Sequence, residues 1–232
     1  MSETDFQGFT QDAFKFFMEI AFNNNREFYE ANKERYKKAV LEPMRLLAAK
    51  LLPDVLNIDP DFDTRLGAIV SRLRRDTRFS KDKSMYRDHS WLGFRRPGKR
   101  ISESFTLYFE ISPSGYGYGM GMYSPDPQLM KPMRERMLAK PARFLEMAQE
   151  LERAGFKIEG DAYKRDRFPD APEALRPYLN LKGIGWHYST AQVSKSMTPE
   201  LLNELKSAFA ALGPMYRFLC GVDRPQKCGG IK

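Results

Sequence analysis

The chain has 232 residues, 42% of them hydrophobic and 13% aromatic, with a formal charge of +8. This composition excludes a disordered, collagen-like or coiled-coil chain, and the length allows one domain with its own core, needing no disulfide or structural zinc. No apolar run approaches the roughly 18 residues of a membrane span and MSETDFQGF lacks the parts of a signal peptide, while the cysteines, Cys220 and Cys228, fit a reduced, cytoplasmic protein with no membrane partner.

Taken in order, Thr10 is positioned to cap a first helix in which Phe14, Phe17, Met18 and Ala21 form one apolar stripe. Asn25 suits the N-cap of a second helix that turns Phe28, Tyr29, Tyr36 and Val40 inward. Pro43 fits the first turn of a third, with Met44, Leu47, Ala48 and Leu51. A turn-rich connection follows from Asp54 to Asp63, and the partly β-branched run Leu66 to Leu73 predicts a strand. Phe105, Leu107, Phe109 and Ile111 alternate with Ser104, Thr106, Tyr108 and Glu110, which predicts a half-buried strand over Glu103 to Ile111.

A turn at Ser112 to Gly115 leads into GYGYGMGMY. Gly115, Gly117, Gly119 and Gly121 fall on one face of that run, and Tyr116, Tyr118, Met120 and Met122 on the other. An even hairpin loop pairs Ile111 with Tyr116 and Phe109 with Tyr118, gathering every bulky group on one side; an odd loop would face glycines onto the apolar row. The even loop is therefore expected. It leaves Thr106, Tyr108 and Glu110 beside bare glycines, a surface that something must approach closely, a packed helix slightly ahead of a ligand.

Beyond Pro125-Asp126-Pro127, Leu129, Met133 and Met137 mark one helix. Pro141 opens another, with Phe144, Leu145, Ala148 and Leu151, and Gly155 ends it. A short strand over Phe156 to Tyr163, a proline-rich loop with a helical turn, and a last strand over Gly185 to Val193 complete the sheet. Thr198-Pro199-Glu200 begins a final helix carrying Leu201, Leu202, Leu205, Phe209 and Leu212, and the polar tail Asp223 to Lys232 is expected to fray. Helices before and after a central hairpin point to an α+β fold with an antiparallel sheet, in a single compact domain over residues 1–222.

The charge is concentrated. Between Arg65 and Arg100 twelve basic residues stand against three acids, Asp76, Asp82 and Asp88, a local net of +9. The run RLRRDTRFSKDKSMY, Arg72 to Tyr86, orders this charge. Arg72, Arg75 and Arg78 offer guanidinium forks of the geometry that grips phosphate or carboxylate. Lys81 and Lys83 add point charges, Ser80 and Ser84 hydroxyl donors, and Asp76 and Asp82 can orient the cations. Phe79 and Tyr86 anchor the loop. The competing view is an internal salt-bridge network, but three acids cannot neutralise twelve bases.

At this motif the chain resembles the domain-of-unknown-function 2461 family, on RDTRFSKDKS (Arg75 to Ser84) followed by Tyr86. NNREFY (Asn24 to Tyr29) with Asn32, Lys33 and Tyr36, and the strand YFEISP (Tyr108 to Pro113), agree. So do the glycine run into Tyr123-Ser124-Pro125, and Tyr163-Lys164-Arg165 before Pro169 and Pro172. Met85 departs from the proline expected there. The resemblance spans nearly the whole chain and implies one compact unit, without a catalytic residue to carry over.

Enzyme machinery is thin. GYGYGMG is not a dinucleotide fingerprint, there is no Walker or G-x-S-x-G motif, and the cysteines lack an activating setting, so no cofactor is expected. Glu110 with Tyr108 could serve as acid and base on the bare sheet face, and a metal-dependent hydrolase would need Asp76, Asp82, Asp88 and His89 to converge. The leading expectation is a protein that binds a small anionic ligand, phosphate- or carboxylate-bearing. Arg72, Arg75, Arg78, Lys81 and Lys83 would hold the anion, and Tyr86, Tyr108, Lys164 and Arg165 would line the pocket. The alternative is a nucleic-acid-binding module, in which the same residues with Arg95, Arg96, Lys99 and Arg100 track a phosphate backbone. A concavity favours the first and an open stripe the second.

Overall fold

The computed structural model describes residues 5–76, 78, 82–98 and 104–222. The first helix, α1 (Gln11–Phe22), buries Ala13, Phe14, Phe16, Phe17 and Ile20. This stripe is rotated from the predicted one. Phe16 faces the core, with Tyr36 at 5.5 Å and Phe28 at 6.4 Å between ring centroids, and that leaves Met18 46% exposed. Asn25 caps α2 (Arg26–Ala31), its side chain accepting from the Phe28 N–H at 2.9 Å.

The expected second and third helices run into one another. α3 (Lys33–Tyr36) passes through a π-helical turn, Lys37–Leu41, into α4 (Glu42–Leu56) without a loop. Pro43 has no N–H to return to the carbonyl of Ala39, which explains the widened turn at that point. Met44, Leu47, Ala48 and Leu51 of α4 are fully buried. Leu66 to Leu73 is not a strand: Leu66–Ile69 forms a single helical turn, α5, and only Val70 joins the sheet, through an isolated bridge to Leu92. Asp63 starts the turn by accepting from the Arg65 N–H at 3.0 Å.

The strands β1 (Ser90–Phe94), β2 (Phe105–Ser112), β3 (Gly115–Met122), β4 (Lys157–Glu159) and β5 (Gly185–Thr190) form one antiparallel sheet in the order β1-β2-β3-β5-β4. The hairpin has the even loop: Ile111 pairs with Tyr116, Phe109 with Tyr118, and Ser112 with Gly115. Leu92, Phe94, Phe105, Leu107, Phe109, Ile111, Tyr116, Tyr118, Met120 and Trp186 are buried on one face. The remaining helices pack there. α6 (Pro127–Ala139) and α7 (Pro141–Arg153) lie between β3 and β4 in sequence, α8 (Arg176–Leu179) and α9 (Val193–Ser196) flank β5, and α10 (Glu200–Cys220) closes the fold. Phe209 of α10 meets Phe94 edge-on at 6.0 Å, and Phe144 of α7 meets Trp186 at 6.2 Å.

The glycine face carries Trp91, Tyr108, Glu110 and His187. Neither a helix nor a ligand explains its glycines. A Cβ on Gly119 would lie 2.1 Å from the carbonyl oxygen of Trp186, so what approaches is the backbone of the neighbouring strand β5.

Candidate functional site

After α5 the chain runs along the outer edge of β1. The Ser71 N–H donates to the Trp91 carbonyl at 2.8 Å, and Ser71 Oγ accepts from the Trp91 N–H at 3.0 Å. A short two-stranded ribbon follows, the Arg75 N–H donating to the Met85 carbonyl and the Arg87 N–H to that of Leu73, each at 2.9 Å. Tyr86 fixes the ribbon to the helices. Its ring is buried and stacks on Tyr29 with centroids 4.7 Å apart. Its N–H donates to Asn24 Oδ1 and its carbonyl accepts from Asn24 Nδ2, both at 2.9 Å, so one side-chain amide imitates a neighbouring strand.

The ribbon, α5 and β1 border an open recess of about 850 Å³. Arg65, Arg72, Arg74, Arg75, Arg87 and Arg95 line it, with Asp76 as the one carboxylate among the described residues and a less polar wall of Gly67, Ala68, Val70 and Trp91. Arg65 is balanced by Asp63, Nη2 donating at 2.6 Å, and this bond holds the Asp63 carboxyl down at about 2. Arg75 Nη1 donates to Asp82 at 2.5 Å and Nη2 lies 3.8 Å from Asp88, while its buried Nε has no hydrogen-bond partner among the described residues. Arg87 Nη1 donates to the carbonyls of Arg72 and Arg74 at 2.7 and 3.1 Å, and Arg95 Nη1 to that of Ala68 at 2.9 Å. Carbonyls orient a guanidinium without cancelling its charge. Among the described residues, Arg72, Arg74, Arg87 and Arg95 have no carboxylate within ion-pair distance. Burial, and then the charge of Arg75, pushes Arg87 below its ordinary value; burial does the same to Arg95.

Of the residues singled out from the sequence, Arg72, Arg75 and Asp76 line the recess. Arg78 is exposed and donates to Asp76 at 2.6 Å, and Lys83 is exposed and outside the lining. Ser80 and Lys81, with Phe79, Lys99, Arg100 and Cys228, lie outside the described residues. Tyr86 is an anchor under the ribbon, not part of the wall. Tyr108 pairs across the sheet with Gly93 and Glu110 with Trp91, so both sit on the sheet face next to the recess and not in its lining. Burial is the main reason that the Tyr108 hydroxyl is pushed well above its ordinary value.

Lys164 and Arg165 are elsewhere. They are exposed and follow β4, at the opposite edge of the sheet from β1. Their loop is tied down by Arg134, which donates to the carbonyls of Leu179 and Leu181 at 2.9 and 2.6 Å, and by Arg167, 3.7 Å above the Tyr163 ring. The acids named for a metal site do not converge either: Asp76 and Asp82 pair with arginines, Asp88 meets His89 at 2.9 Å, and the described residues contain no group of three His, Cys, Asp or Glu side chains able to share an ion.

The model of the family described as conserved hypothetical protein (DUF2461) matches residues 12–218. The chain belongs to this family. Among curated proteins no relative was found. The match takes in every residue named in the lining of the recess. No described helix is long and apolar enough to cross a membrane.

Sequence reasoning counted Arg65, Arg87 and Arg95 in the basic cluster without assigning them to a small-ligand site, and it missed Trp91, Gly67 and Ala68. Leu92 and Phe94 alternating around Gly93 were the available sign of β1, and so of Trp91 facing the same side as Arg95.

Proposed function

We propose that the protein is a cytoplasmic binder of a small anionic ligand, held in the arginine recess beside β1. One observation carries this reading: four guanidiniums that have no carboxylate partner among the described residues border the same concavity. Like charges held together destabilise the fold, and a phosphate or carboxylate entering the recess would relieve that repulsion through charge-assisted, bidentate bonds. The buried Nε of Arg75, without a hydrogen-bond partner among the described residues, supports the reading. An extended phosphate backbone would instead need a stripe, and Arg96 turns away from the recess to Asp59 and Asp61, at 2.8 and 3.4 Å.

The test is calorimetric titration with inorganic pyrophosphate of the wild type and of the Arg72→Ala/Arg74→Ala variant, with circular dichroism to check folding. Loss of two charged hydrogen-bonding partners should weaken binding by about tenfold to a hundredfold or more. Equal affinity in both proteins would reject the recess as the site. Binding of a DNA duplex, with affinity falling by roughly one log unit per log unit of salt for each phosphate contacted, and none of pyrophosphate, would favour the nucleic-acid alternative.

A further inference from the structure

We infer that the ligand of the arginine recess joins two phosphates to a flat ring that stacks on Trp91, as a nucleoside diphosphate does; the inference rests on the anion-binding reading above. Two features of the wall lead here. The first is charge: a phosphate group carries roughly −1.5 to −2 at neutral pH, so four unbalanced arginines match two phosphates better than one.

The second is the indole. Trp91 sits on the sheet face opposite the core, paired with Glu110, and it lines the recess half-buried. Its ring N–H has no partner among the described residues. The apolar face of the sheet is complete without it, since Leu92 and Phe94 of the same strand are fully buried there. The Trp91 ring is thus aromatic surface left at the rim of a cationic hollow, where a planar ring gains by stacking while its phosphates reach the arginines. Space is available beside it. At Gly67, on the same wall, an added Cβ would meet nothing within 4 Å.

Because the chain has two tryptophans and Trp186 is fully buried, Trp91 is a built-in fluorescent reporter. The experiment compares ADP with inorganic pyrophosphate, by calorimetry and tryptophan fluorescence, in the wild type, Trp91→Ala and Gly67→Leu. Stacking should make ADP bind about tenfold more tightly than pyrophosphate in the wild type and quench its fluorescence. Trp91→Ala should erase that advantage and leave pyrophosphate affinity within about twofold, the change expected for a contact confined to the ring. Gly67→Leu, which adds bulk in open space, should weaken ADP more than pyrophosphate and serves if Trp91→Ala does not fold. If pyrophosphate binds and ADP gains nothing, or both weaken equally in Trp91→Ala, the ring inference is overturned while anion binding stands. If neither binds, the anion reading falls and takes this one with it.

Discussion

Two arginine sites in this molecule are built to opposite rules. Between α1 and α3, Arg35 donates to Asp12 at 2.9 and 2.7 Å and to Glu19 at 2.5 Å, one guanidinium shared by two carboxylates. Those bonds, Glu19 first, raise the basicity of Arg35 and lower the carboxyls of Asp12 and Glu19. For two arginines of the recess beside β1 the sign reverses. Arg87 and Arg95 are pushed down by burial, and their hydrogen bonds end on neutral carbonyls. Arginine density alone therefore does not mark a site; the proposed function rests on arginines whose charge the fold leaves unbalanced. The tethered arginines near Lys164 make the same point, since Arg134 is spent on the carbonyls of Leu179 and Leu181 and Arg167 on the Tyr163 ring.

The comparison breaks most visibly if a carboxylate is taken from a balanced site. Asp59 is fully buried and accepts from Arg96 at 2.8 and 3.2 Å and from the Tyr216 hydroxyl at 3.2 Å. Asp59→Ala should cost about 2–3 kcal/mol in urea unfolding, because the buried Tyr216 hydroxyl loses its acceptor while Arg96, nearly half exposed, is left to solvent. Arg35→Met should cost less, about 1 kcal/mol, because its two carboxylates are nearly half exposed and solvent screens them. In the recess, Arg72→Ala and Arg74→Ala should each change stability by no more than about 0.5 kcal/mol, as both side chains are exposed and neither balances a carboxylate among the described residues. A loss there as large as at Arg35 would erase the distinction.

Acid sharpens it further. The carboxyl of Asp63 is depressed from 3.8 to about 2 in the folded state. Its contribution to stability is then complete above about pH 4 and lost as pH falls toward 2. Asp63→Asn should flatten that part of the acid-unfolding profile, whereas the recess variants should leave it unchanged.

The fold was legible where chemistry left one choice. Phe105 to Ile111 and Tyr116 to Met120 could share a face only with an even loop, and the observed register is that one. Asn25 had to cap α2 because its carboxamide can take the Phe28 N–H. Short elements were harder. Leu66 to Leu73 has strand composition, yet the Asp63–Arg65 contact starts a helical turn and leaves Val70 alone to bridge the sheet. β1 is only five residues, so the alternation of Leu92 and Phe94 around Gly93 is a brief sign, easily passed over beside Arg95 and Arg96.

For the site, the run around Arg72 to Asp76 was readable as an anion cradle. Its other wall was not, because Trp91 and Arg95 come beside it through the pairing of Val70 and Ser71 with β1, contacts no local pattern encodes. Lys164 and Arg165 were assigned to it for want of a strand order; with β4 at one edge and β1 at the other, the sheet separates them from the recess.

Thermal unfolding in inorganic pyrophosphate at constant ionic strength, for the wild type and the Arg72→Ala/Arg74→Ala variant, tests the unbalanced-charge claim most directly. At a ligand concentration of about 100 times Kd the wild type should gain roughly 2.7 kcal/mol, a Tm rise on the order of 5–10 °C, while the variant starts from a similar Tm and gains little. Equal rises in the two proteins, or none in the wild type, would contradict it.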